Sequence, residues 1–168
     1  MSMLELLIVG LWTGAFAATF AIVFSAPLQA VVPSFCAGFV ARIARDWLMH
    51  FGVSQTLATL AAAAAVVIVV EVTLVRRPGI SPIVMLSGLV PLGAAKAFFA
   101  AIIGFLKIST LKGEALAAAP AALLSNMSTL FKTTLAIALG AALGVAIIHS
   151  LKSAREMITG AAPDADSI

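Results

Sequence analysis

The chain has 168 residues, of which 62% are hydrophobic and only 10% are charged, with a formal net charge of +3. A soluble domain carries roughly 25% charged residues because water must wet its surface. This composition therefore excludes a soluble domain and predicts an all-α integral membrane protein. The small positive excess is spread along the chain and does not indicate nucleic acid as a partner. Cys36 is the single cysteine and is expected to be buried; with two separated histidines it predicts no disulfide, metal site or cofactor.

The apolar segments predict about five transmembrane helices, and the first two differ in character. The first runs from Leu4 to Phe24, long enough to cross the hydrocarbon. Its start carries Glu5 and no Lys or Arg, which indicates a retained span rather than a cleaved signal peptide. Residues 28–49 form the weakest span, because Arg42 and Arg45 lie in its second half. We expect that charged end at the interface or against protein.

The third and fourth spans lie on either side of a basic turn. Gln55–Val75 is the clearest span, and the fourth, Ile80–Leu106, is interrupted at Pro91-Gly93. Pro91 cannot donate a backbone hydrogen bond, so one helical carbonyl loses its usual partner. Transporters use such interrupted helices near the membrane midplane to bind ligands.

The fifth span lies within Glu114–Leu151, which would reach about 57 Å as one helix and so must protrude or bend, with Pro120 as the expected bend. We expect one transmembrane domain over residues 1–152 and a polar C-terminal tail over 153–168. Arg42 and Arg45 are best placed inside the second helix, so we expect the Arg76-Arg77 turn and the C-terminus to face the cytoplasm.

Lys96 is the first candidate for a binding residue. It lies far from both ends of the fourth span, and a charge at the bilayer centre costs at least about 2.5–3.5 kcal/mol unless it faces protein or water. We therefore predict that Pro91, Gly93 and Lys96 bind a small anionic or zwitterionic solute. The alternative is that Pro91 and Gly93 only kink the helix for packing, while Lys96 pairs with a carbonyl or carboxylate.

A polar cluster in the fifth span supplies further candidates. Asn126, Thr129 and Lys132 are predicted to bind the same solute; the alternative is that the amide and hydroxyls only join helices. Beyond Lys132, Gly140 and Gly144 continue a four-residue repeat of small residues that is typical of a close helix interface.

Glu71 is the only acidic residue within a span, and its spacing to Arg76 and Arg77 predicts an interfacial ion pair. No nucleophile is accompanied by a base at a useful spacing, so we predict no catalytic residues and no enzyme.

Three segments carry a resemblance to a known family: TFAIVFSAP, VVEVTLVRRPGISPIVMLSGLVPLGAAKAF and LLSN. Together with the Arg-bearing second span, they resemble the threonine/serine exporter (ThrE-like) family, in particular its small YjjB-like subunit, over residues 5–150. The resemblance implies a multi-pass protein of the bacterial inner membrane that acts with a larger YjjP-like membrane subunit as a hetero- or homo-oligomer. Family members export small polar metabolites, threonine and serine in some, with dicarboxylates such as succinate proposed for others.

The fourth span departs from the family pattern, which commonly reads Pro, two apolar residues, Pro, Gly and then a tyrosine. Here Pro91-Leu92 is followed by Gly93-Ala94-Ala95, Lys96 is added, and Phe99 takes the tyrosine position, which makes Phe99 a predicted substrate contact. A carboxylate ligand suits Lys96 better than threonine or serine does.

These observations predict a membrane subunit of a secondary transporter that exports an amino acid or carboxylate together with a larger partner. The alternative is a non-transporting membrane scaffold that assembles or stabilises a larger partner, suggested by the small size of the chain and the Gly140–Gly144 surface.

Overall fold

The computed structural model describes residues 3–75, 78–93, 95–108 and 114–159; the side chains of 78, 95–97, 107–108, 114–119, 155–156 and 158–159 lie outside this description. The described residues form six helices and no strand, which confirms the all-α prediction. The helices are α1 (Met3–Val23), α2 (Leu28–His50), α3 (Gln55–Thr73), α4 (Ser81–Leu89), α5 (Ala95–Ile108) and α6 (Glu114–Thr159). Short 3₁₀ turns occupy Pro78–Ile80 and Val90–Leu92.

Three described helical stretches are long and apolar enough to cross a membrane. They are α1, α3 and the segment Pro120–Ala154 within α6. The second helix is 23 residues long, with charged residues in its last two turns. The fourth predicted span is divided between α4 and α5, so five complete crossings stay a prediction.

Small residues set how α1 packs on α2. The two helices are antiparallel, since Gly10 lies against Ile43 while Gly38 lies against Thr13 and Ala17. A Cβ atom on Gly38 would meet the Thr13 carbonyl oxygen at 3.1 Å, so the two backbones approach closely. This contact is the small-residue packing expected of helices that associate in lipid.

The hydrophobic core lies where α2, α3 and α4 meet. It is built largely from alanine and valine side chains, among them Ala37, Ala41, Val66 and Val84, all at most 1% exposed. A Cβ on Gly88 of α4 would approach the Ala37 Cβ to 2.7 Å, so this interface also depends on a missing side chain.

The last helix packs on α3 in a parallel direction. Gly140 faces Leu60, and Gly144 faces Val67, so positions on both helices increase together. Matched in this way, Gln55 at the start of α3 lies near residue 135, and the preceding part of α6 extends about 30 Å beyond that level. This extension packs against α5. Helix α6 continues through Pro120 and runs to Thr159, so the start of the predicted polar tail is helical.

The expected burial of Cys36 is wrong: its side chain is exposed on α2. The buried positions of α2 are instead its small neighbours Ser34, Ala37 and Gly38, which face the other helices.

Candidate functional site at the helix break

The interruption of the fourth predicted span lies where the sequence places it. Helix α4 ends at Leu89, a 3₁₀ turn covers Val90–Leu92, and Gly93 is extended, with φ −60° and ψ 165°. The Gly93 N–H donates to the Val90 carbonyl oxygen at 2.9 Å. A Cβ on Gly93 would lie 2.8 Å from that oxygen, so a side chain here would strain the turn.

The helix break separates two packing environments. Helix α4 and the turn that follows it both contact α1 and α2, and α4 also contacts α3. Helix α5 packs on α6 instead. Leu92 anchors the turn, since it is 1% exposed and belongs to the core with Ala37 and Ala41. The break thus lets the chain leave one group of helices and join another, a packing role that accounts for Pro91 and Gly93 whatever they bind.

The charged end of α2 lies one helical turn beyond this anchor. A Cβ on Gly88 would meet Ala37, and Leu92 shares the core cluster with Ala41, so Arg45, one turn after Ala41, lies just beyond the level of Leu92. Arg42 donates from Nε to Oδ2 of Asp46 at 2.7 Å, and the Asp46 side chain is only 7% exposed.

The Nε atom of Arg45 is buried and has no hydrogen-bond acceptor among the described residues. Arg45 thus differs from Arg42, whose Nε is held by Asp46. A buried donor without an acceptor is uncommon in folded proteins and calls for an explanation.

The two candidates on α5 are only partly described. Lys96 lies in the first turn of α5, and its side chain is outside the described part of the structure. Phe99 is 62% exposed, and its ring lies 5.9 Å from the ring of Phe98.

The polar candidates on α6 lie on the half of that helix that packs against α5. Asn126 is partly buried, while Thr129 and Lys132 are exposed. The Thr129 hydroxyl donates to the Ser125 carbonyl oxygen. The hydroxyl of Thr133, which is buried, donates to the Thr129 carbonyl oxygen. These threonine hydroxyls bond to their own helix and do not join α6 to another one.

A cleft of about 250 Å³ lies between α5 and α6. Its described lining is entirely apolar and includes none of the predicted substrate contacts: Phe98, Ala101, Ile102, Phe105, Leu106, Leu123, Met127 and Leu130. The cleft can bind hydrocarbon but has no described group to neutralise a charged solute.

Glu71 forms a polar junction of three helices. Ser81 at the start of α4 donates to Glu71 Oε1 at 2.9 Å, and Lys152 Nζ of α6 lies 3.7 Å from Oε2. The predicted partners Arg76 and Arg77 lie outside the described residues. The described cation near Glu71 is thus Lys152, a partner that spacing along the chain does not indicate.

Gly140 and Gly144 face α3 of the same chain. A Cβ on Gly144 would lie 2.8 Å from the Val67 Cβ, and one on Gly140 would lie 2.9 Å from the Ala63 Cβ. The small-residue surface is therefore occupied within the chain rather than open to a partner.

Sequence reasoning did not single out Asp46, Ser81 or Lys152. The spacing of Arg42 and Asp46, four residues apart on a helix, is a signal that could have identified their pair. Ser81 and Lys152 reach Glu71 only through the tertiary packing.

Comparisons with models of protein families, with curated proteins and with solved structures found no match.

Proposed function

We propose that the chain is the small membrane subunit of a secondary transporter of the threonine/serine exporter type, which exports an amino acid or carboxylate together with a larger YjjP-like subunit. The observation that carries the proposal is the break at Val90–Gly93, which packs on α1 and α2 through the buried Leu92, one helical turn before the charged end of α2. Breaks of this kind place free backbone groups and helix ends within a membrane protein, where a polar solute can bind.

Five crossings in the bacterial inner membrane complete the proposal. Helices α1, α2 and α3 form three of them, α4 and α5 together form the interrupted fourth, and α6 forms the fifth. The 23 residues of α2 extend about 34 Å, which is enough to cross the hydrocarbon. Its charged residues are then tolerated because Asp46 is buried against protein and pairs with Arg42.

The proposed solute path contains Lys96, Asn126 and Lys132 along α5 and α6, with Thr129 and Phe99 beside it. The support is their shared location on α5 and on the part of α6 that packs against it. A lysine exposed on this surface, as Lys132 is, needs water, an anion or a partner subunit around it if the helix is within the bilayer.

The test is transport by the chain reconstituted with its larger partner in proteoliposomes. Efflux of labelled succinate, serine and threonine is compared for the native protein, Lys96→Ala, Lys132→Ala and the charge-conserving Lys132→Arg. Thr19→Val serves as control, because Thr19 is exposed on α1 and bonds only to its own helix. Unchanged rates and solute preference in both alanine variants would remove the site assignment.

A scaffold subunit is the second candidate, and a specific observation favours it. Four phenylalanines on α5 and the extension of α6 are at least 49% exposed: Phe98, Phe99, Phe105 and Phe131. Such a surface suits a membrane partner that packs along the hairpin. Full transport by the larger partner alone, with loss of its assembly when the small chain is absent, would favour the scaffold over the transporter subunit.

A further inference from the structure

Arg45 lies at a seam where three elements meet. Ala41, one turn earlier on α2, packs in the core with Leu92, while Asp46 lines a cavity with Leu6 of α1. At 100° per residue, Arg45 lies between these two faces of α2. The turn at Val90–Leu92 itself contacts both α1 and α2, so the face of α2 that carries Ala41 and Arg45 runs beside this junction.

The charge of Arg45 is not balanced by the neighbouring ion pair. Arg42 donates to Asp46 at 2.7 Å, so the carboxylate next to Arg45 in the sequence already holds another guanidinium. A guanidinium cannot lose its proton in a protein, so the charge persists, and the buried Nε still requires an acceptor.

The face of α2 that carries Arg45 has a second polar atom without a hydrogen-bond partner among the described residues. Ser34 is fully buried, and its Oγ has no hydrogen-bond partner among the described residues. Positions 34 and 45 are three helical turns apart and therefore share one face. Between them Gly38 packs directly on Thr13 and Ala17, so α1 covers this face of α2 between Ser34 and Arg45.

We infer that Arg45 binds the carboxylate of a small soluble solute at the helix break. A guanidinium offers a planar pair of donors that matches a carboxylate, which makes it the described group at the break best suited to that ligand. The inference rests on the proposed transport function and adds to it the anionic group of the substrate and the residue that recognises it. It places recognition on α2, one helical turn beyond the level of Leu92, rather than on the exposed Lys132 of α6.

The experiment measures equilibrium binding of labelled succinate to the purified full chain in detergent, with and without its partner, separately from transport. Arg45→Gln is expected to weaken binding about ten- to hundredfold, since a charge-assisted hydrogen bond is lost. Arg45→Lys keeps the charge without the planar pair of donors and should lose affinity less. Lys152→Gln is the matched control, since it removes one positive charge at the other end of the bundle. The affinity of this variant for succinate should differ from that of the native chain by less than about twofold.

Other arms separate the possible sources of the anion. Binding is repeated in nanodiscs of phosphatidylcholine and of phosphatidylcholine with phosphatidylglycerol, with inorganic phosphate and serine as competitors. Succinate binding that depends on Arg45 in both lipids, with succinate preferred to phosphate, supports the inference. If the Arg45 variants change only the retention of phosphatidylglycerol and not the binding of succinate, the inference is overturned in favour of a lipid site.

The remaining outcomes distinguish this inference from the transport proposal. Succinate binding that Arg45→Gln and Arg45→Lys both leave unchanged overturns the assignment while transport stands. No binding of any carboxylate overturns it as well. Binding that depends on Arg45, without transport in proteoliposomes, supports the site and rejects the transporter. Circular dichroism and gel filtration of each variant show whether the fold is retained. If Arg45→Gln is misfolded, the succinate affinities of Arg45→Lys and Lys152→Gln are compared instead: a loss of affinity in Arg45→Lys alone supports the inference, and equal affinities overturn it.

Discussion

The parallel contact between α3 and α6 makes a prediction whose sign can be worked out from the structure. Replacing a glycine inside a helix with alanine ordinarily stabilises it by up to about 1 kcal/mol. At Gly140, however, the new Cβ would press on the Leu60 carbonyl oxygen and lie 2.9 Å from the Ala63 Cβ. Carbon atoms pack favourably at about 3.5–4.0 Å, so α3 and α6 must move apart.

Gly140→Ala should therefore lower the free energy of unfolding by about 1–2 kcal/mol. The contact is with a backbone oxygen, which puts the overpacking cost in the upper part of the range of about 1–3 kcal/mol, and the helix gain offsets up to about 1 kcal/mol of it. For a chain of this length that corresponds to a fall in Tm of about 3–6 °C. Thermal unfolding of purified protein in mild detergent, followed by circular dichroism at 222 nm, measures the shift.

Gly104→Ala on α5 is the matched control for this measurement. Its Cβ would lie 3.6 Å from Leu123 Cδ1, an ordinary contact, so Tm should stay constant or rise slightly. The reasoning fails if Gly140→Ala unfolds at or above the temperature of the native protein, because α3 and α6 would then have room for a side chain between them.

Three other experiments test the core and the polar contacts. Leu92→Ala removes one of the largest fully buried side chains, so we expect unfolding to become easier by about 2–5 kcal/mol, measured by denaturant titration; a loss below about 1 kcal/mol would show that the turn is not anchored there. In a double-mutant cycle, Glu71→Gln and Lys152→Gln should couple by less than about 1 kcal/mol, because the two side chains are 28% and 57% exposed and 3.7 Å apart. Asp46→Asn should cost about 1–3 kcal/mol, since it weakens a largely buried acceptor of the Arg42 guanidinium, and an unchanged unfolding midpoint would contradict the ion pair.

Much of the helical framework could be predicted from sequence, because hydrophobic length and helix breakers act locally. The first predicted span, Leu4–Phe24, differs by one residue at each end from α1, Met3–Val23. The break at Pro91-Gly93 is also local, since proline removes a backbone donor wherever the helix runs.

Contacts that depend on tertiary packing could not be predicted in the same way. The repeat of Gly140 and Gly144 indicates a close contact but not the helix it is made with, and α3 occupies that surface. Glu71 meets Ser81 and Lys152 because α4 and α6 both pack beside the end of α3, an arrangement that no local spacing encodes.

The candidate site shows the same division. Sequence reasoning identified the unusual lysines, because a charge in an apolar segment is conspicuous by itself. The importance of Arg45 depends on two facts that only coordinates supply: its position one helical turn beyond the level of Leu92 and the absence of an acceptor for its Nε among the described residues.

The continuous α6 also has a mechanical consequence. One end of this rod is fixed to α3 at the two glycines, and the other end carries α5. Rotation by about 5° about the contact at Gly144 would sweep the start of α6 through about 4 Å, given the 1.5 Å rise per residue along a straight lever. A shift of about 0.5 Å at Gly140 would thus correspond to a movement about eight times larger at the far end of the helix.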